Sequence, residues 1–107
     1  MAEKKELIIR EKAAEDLVEQ IRYYVEAGAF DFATELHEKF YDQIRNILPD
    51  YLRFPECRFL LTKKKIYRNI VWGHYLIVFK IKPATIEILC LHHTRKNPRK
   101  IRVLRGK

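Results

Sequence analysis

Two hydrophobic periods divide the chain near Pro49. Between 12 and 26 the apolar residues are Ala13, Ala14, Leu17, Val18, Ile21, Tyr24 and Val25. Steps of three and four predict a helix with one buried stripe, and Gly28 stands where a left-handed C-terminal cap belongs. Its start is poorly marked, since Arg10 and Glu11 are not capping types. Asp31 is placed to cap a second helix over 32–48, with Ala33, Leu36, Phe40, Ile44 and Ile47 on one face and Pro49 at its end. The short connection favours an antiparallel hairpin. Ahead of both, the apolar stretch Glu6–Ile9 is a candidate first strand.

After Pro49 the period falls to two. Residues 51–62 contain Pro55 and read as a loop followed by irregular or short-strand structure. Over 65–72, Tyr67, Asn69 and Val71 alternate with Ile66, Arg68, Ile70 and Trp72, which is strand spacing. Gly73-His74 turns the chain into Tyr75–Ile81, and Pro83 suits a reverse turn before Thr85–His93. In that last strand Ile86, Ile88 and Cys90 are expected opposite Glu87, Leu89 and Leu91. Both sets are largely apolar, so the strand is predicted to be central, with something packed on each side. The order β-α-α-β-β-β gives an α+β class: a single domain in which a helical hairpin packs on one face of a small antiparallel sheet. Which strands pair is open.

Charge adds what the pattern cannot. Residues 1–50 hold 7 Lys/Arg against 12 Asp/Glu, and residues 51–107 hold 15 against 2, so a net −5 half precedes a net +13 half. A chain this asymmetric is suited to present one face to something anionic. The basic residues of the second half include Lys63, Lys64, Lys65, Arg68, Arg95, Lys96, Arg99, Lys100, Arg102, Arg105 and Lys107. A nucleic-acid phosphate and an acidic protein segment are both compatible with that composition. No apolar run is long enough to cross a bilayer, and the charged start MAEKKELIIREKAAED has no apolar signal region, which predicts a cytoplasmic protein. Cys57 and Cys90 have neither metal nor redox spacing, so both are expected as reduced thiols.

His92 and His93 close the last strand, with Arg95 just beyond. Imidazole transfers protons near neutral pH and a guanidinium clamps phosphate oxygens, so His92, Arg95 and Arg68 are the candidate catalytic set for a phosphodiester reaction. Adjacent strand residues face opposite ways, so only one of the two histidines can share a site with Arg95. His37, His74, His92 and His93 lack ligand spacing, and neither a metal nor a cofactor is expected. Tyr67, Trp72 and Tyr75 are expected to pack rather than to stack on bases.

The chain resembles the RelE/ParE superfamily of type II toxin–antitoxin toxins. Residues 13–17 with Tyr23 or Tyr24 are similar to its first-helix pattern, and Ala33 with residues 44–48 to its second. Arg68, then YLIVFKI, then IEILCLHHTR ending at Arg95, are similar to its Arg strand, its Tyr-x-Ile strand and its final His-x-x-Arg. The resemblance implies two helices on a curved antiparallel sheet, a plasmid-stabilisation type of toxin, and a cognate antitoxin encoded beside it. RelE-like members cleave mRNA on the ribosome, whereas ParE-like members inhibit DNA gyrase without cleaving RNA. Leu76 replaces the Arg that RelE-like nucleases carry after the strand-opening Tyr, and Ile101 stands where they place a late Tyr. Those departures bring the chain closer to ParE. Lys63, Lys64, Lys65, Arg68, Arg95, Lys96 and Arg99 are then the expected target contacts, and Leu17, Ile21, Tyr23 and Tyr24 the expected antitoxin contacts. Left uncovered, that apolar stripe predicts self-association into a homo-oligomer. A non-toxic nucleic-acid-binding module remains the alternative of a different class.

Overall fold

The computed structural model describes residues 5–104; Arg105 and Lys107 lie outside them. The elements are β1 (Glu6–Ile9), α1 (Glu11–Glu26), α2 (Phe30–Arg45), a 3₁₀ segment (Leu48–Arg53), β2 (Tyr67–Trp72), β3 (Tyr75–Ile81), β4 (Thr85–His93) and the single turn α3 (Arg99–Arg102). The class is α+β, as expected. Gly28 caps α1 from the left-handed region at φ +78. The second helix starts earlier than its capping signal suggests. Ala29 occupies the N-cap without a side-chain bond, and Asp31 lies inside the first turn, where its charge still suits the helix dipole. The helix stops at Arg45, and Pro49 sits in the first turn of the 3₁₀ segment, where its missing N–H costs nothing.

The sheet has the order β1-β4-β3-β2. Three strands form an antiparallel meander, and β1 adds parallel to β4 with Leu7 beside Ile86 and Ile9 beside Ile88. This makes the sheet mixed rather than purely antiparallel, and puts β4 at its centre. One face meets the hairpin: Ala13 and Leu17 of α1 and Leu36, Phe40 and Ile44 of α2 pack on Ile70, Tyr75, Ile77, Phe79, Ile86, Ile88 and Leu91. The opposite face carries a second cluster in which Cys57, Leu60, Ile101 and Leu104 cover Tyr67, Val78, Leu89 and Cys90.

A β-bulge breaks the expected alternation of β4. Val78 pairs with Cys90 but Phe79 pairs with Ile88, so Leu89 is an extra residue. Past the bulge the phase inverts. Cys90 joins Leu89 on the second face, and Leu91 joins Ile86 and Ile88 under the hairpin. The positions of His92 and His93 follow from that inversion.

Candidate functional site at the end of the central strand

The β2–β3 hairpin closes through two residues, with Gly73 at φ +58 in the first central position, as type II′ turns require. It aligns Trp72, Tyr75 and His93 as one row across three strands. The tip of the helical hairpin stands over that row. Between them lies a cleft of about 220 Å³, walled by Tyr24, Phe32, Leu36, Trp72, Tyr75 and His93, with Glu35 and Lys39 ion-paired at its rim. Tyr24 and Phe32 sit 4.5 Å apart by ring centroid, and Tyr75 meets the His93 ring edge-on at 5.2 Å. The Tyr75 hydroxyl donates to Gln20 Oε1 at 3.0 Å, and burial together with Tyr24 holds its proton well above the usual phenol range.

Beyond the row the chain makes a tight turn. Thr94 N donates to His74 O at 2.7 Å, Lys96 N to His93 O at 2.9 Å, and Arg95 N to His93 Nδ1 at 3.1 Å. Arg95 and Lys96 project from this turn into solvent, Lys96 reaching Glu19 at 3.6 Å. His92 lies on the other side of the sheet. It is 6 % exposed, borders Asp16, Glu19, Lys12, Lys96 and Lys100, and its ring is hydrogen-bonded to the Lys96 main chain. Burial pushes both imidazoles below their ordinary value, helped for His93 by the charges of Arg95 and Lys96 and the neighbouring His74 ring.

The candidate basic set is therefore divided. Arg95, Lys96 and the two histidines gather at one end of the sheet. Arg68 does not join them: Arg68, Phe79 and Ile88 form a row four residues from that of Trp72, Tyr75 and His93. That offset is roughly 13 Å along the strands at about 3.3 Å per residue. The Arg68 guanidinium is also occupied. Its Nη1 donates to Leu52 O and Phe54 O, both at 2.9 Å, and its Nε to Lys65 O at 3.1 Å. Lys63, Lys64 and Lys65 are exposed in the turn leading into β2, at the far end from Arg95. Arg99 begins α3, on the face that carries Ile101 and Leu104.

The expected partner stripe on α1 divides as well. Leu17 is 4 % exposed and belongs to the core, and Ile21 and Tyr24 pack against that core. Tyr23 is 64 % exposed and meets Tyr24 edge-on, Phe30 and Phe32 are exposed at the start of α2, and Val18 and Val25 are exposed on the opposite flank of α1. Tyr67, Trp72 and Tyr75 are all packed, as expected of them. Burial raises both thiols, Cys90 to about 12, so neither is a thiolate. Sequence reasoning missed the cleft, because only the register of three strands brings Trp72, Tyr75 and His93 into one row.

The spacing of these elements matches a known family. A family model described as the ParE toxin of type II toxin–antitoxin systems, parDE, covers residues 7–98. The chain belongs to the ParE toxin family. This toxin also superimposes on a chain of the chromosomal ParDE toxin–antitoxin system from P. aeruginosa, with a TM-score of 0.69 over 84% of its own length and 96% of the other chain. At 17% identity that likeness is one of fold. No curated protein matches the sequence. Among the described residues no helix is long and apolar enough to cross a membrane, and no three His, Cys, Asp or Glu side chains form a metal site.

Proposed function

We propose that this ParE-family toxin inhibits growth by binding an essential target such as DNA gyrase, without cleaving RNA, and is neutralised by a cognate antitoxin. The observation that carries the reading concerns two positions. Leu76 and Ile101, which stand where RelE-like nucleases carry an Arg and a Tyr, both pack in the second apolar cluster, Ile101 with 0% exposure. No group at either position can stabilise a pentavalent phosphate or protonate a leaving oxygen. His92, the remaining acid–base candidate, is buried and occupied by the Lys96 main chain. Contact with the target falls to Arg95 and Lys96 at the end of β4, with Arg99 nearby in sequence. Lys63, Lys64, Lys65 and Arg68 belong to a separate surface.

The antitoxin surface follows from what the fold leaves uncovered. Tyr23 of α1 and Phe30 and Phe32 of α2 are exposed near the hairpin tip, with Tyr24 lying against both Tyr23 and Phe32. An acidic antitoxin segment lying there would bring carboxylates toward Arg95 and Lys96. Without it, that apolar surface drives the toxin to self-associate.

The test is induction of the gene with and without its neighbouring reading frame, with primer extension on ribosome-bound message. Growth arrest, relief by the neighbour's product and intact message are the expected results. Discrete cleavage lost on Arg95→Ala would replace this reading with the nuclease.

A further inference from the structure

Three main-chain N–H groups fix the turn that displays Arg95, and one of their acceptors can titrate. Thr94 N and Lys96 N donate to carbonyl oxygens, whereas Arg95 N donates to His93 Nδ1 at 3.1 Å. An imidazole nitrogen accepts a hydrogen bond only when it carries no proton. The His93 ring is therefore the neutral Nε2–H tautomer. We propose that His93 is the positioning residue for Arg95, holding the 93–96 turn in the displaying conformation only while its imidazole is neutral, so that acidification opens the turn.

The surroundings give a protonated ring nothing in exchange. On its own strand end it faces Arg95 and Lys96. From the β2–β3 hairpin come His74, whose ring stacks on it at 6.1 Å, Tyr75 edge-on at 5.2 Å, and Trp72. From α1 the cleft presents Tyr24, and from α2 Glu35 and Lys39. Glu35 is the one carboxylate lining that cleft, and Lys39 already pairs with it. Elsewhere on α1, Asp16 is engaged by Lys12 and by Leu91 N, and Glu19 by Lys96. A proton on Nδ1 would set two N–H groups face to face and add a charge beside Arg95, Lys96 and the His74 ring. Burial and those neighbours already push the His93 imidazole below its ordinary 6.5, which places the transition on the acid side of neutrality.

His92 grips the same turn from the opposite face, through the Lys96 main chain. The two adjacent histidines thus hold one turn from two sides, and neither has to touch a substrate. The functional consequence rests on the target-contact role proposed for Arg95; the structural one does not.

The test is a pH titration of the purified toxin by NMR, following the Arg95 amide proton and the His93 ring in wild type, His93→Asn and His93→Gln. Asn places Oδ1 near the Nδ1 position and keeps an acceptor that does not titrate; Gln reaches toward the Nε2 position and leaves Arg95 N without one. In wild type the Arg95 amide should follow the His93 titration curve. In His93→Asn it should stay near its neutral-pH position throughout, and in His93→Gln it should sit at the acid position at every pH. Target inhibition by wild type should weaken up to about tenfold on acidification, the scale of one hydrogen bond, and His93→Asn should lose that pH dependence. An Arg95 amide indifferent to the His93 titration, or one displaced equally by Asn and Gln, overturns the proposal. Failure of the target reading is distinct: Arg95→Ala would then inhibit as well as wild type while the amide titration stood.

Discussion

Leu91 lies in the part of β4 beyond the last residue paired with β1, so its N–H faces an open sheet edge, and Asp16 Oδ2 accepts it at 3.1 Å. Helix α1 crosses there, and Lys12 Nζ holds the other carboxylate oxygen at 3.0 Å. One side chain thereby ends the sheet without a further strand and ties α1 to β4. Asp16→Ala should cost about 1–3 kcal/mol, the penalty for an orphaned buried N–H. Asp16→Asn keeps an oxygen acceptor and loses only the half-exposed pair with Lys12, which is worth about 0–1 kcal/mol. Urea unfolding of the two variants checks the order; equal losses would mean the ion pair, not the edge bond, matters. Arg68 belongs to the same class. It reads from sequence as a phosphate ligand, yet its donors go to the carbonyls of Leu52, Phe54 and Lys65. Nothing in the local pattern could say so, because the 3₁₀ segment it ties down is fourteen or more residues earlier in the chain.

At the level of elements, period and turn chemistry located both helices, the β2–β3 hairpin and both ends of β3 and β4. Gly28 and Gly73 marked turns that require positive φ. The Leu89 bulge was not legible, because Leu89, Cys90 and Leu91 are all apolar and either face would accept them. The phase of His92 and His93 went unread with it. Strand β4 also collects the acid-sensitive groups. Glu87, nearly buried, takes Lys82 Nζ at 2.6 Å and Arg10 Nη1 at 2.7 Å, and these partners hold its carboxyl below the ordinary 4.5. His92 and His93 sit below 6.5 through burial first. In each case the folded state binds protons less readily than the unfolded chain, so stability is complete above the unfolded value and falls as pH drops below it. The urea midpoint should therefore fall in two stages, from about pH 6.5 for the histidines and from about 4.5 for Glu87. Removing the histidine pair should erase the first stage alone. A midpoint flat down to pH 5 would contradict this.

On the scale of the whole molecule, the charge asymmetry reported a basic half but not its division. The pairing of β2 with β3 and of β3 with β4 fixes which basic residues are neighbours, and separates Lys63, Lys64 and Lys65 from Arg95 by the length of the sheet. The division leaves Arg95 and Lys96 beside the aromatic cleft that His93 walls. A toxin that works by binding needs no more than such a surface, and a nuclease needs groups that Leu76 and Ile101 do not supply. The most direct measurement is DNA supercoiling by purified gyrase in the presence of the toxin, wild type and Arg95→Ala. Wild type should block supercoiling, and Arg95→Ala should weaken the block by about tenfold or more, the scale of a charge-assisted contact. Unimpaired supercoiling at saturating toxin, with ribosome-bound message cut instead, would contradict the binding reading.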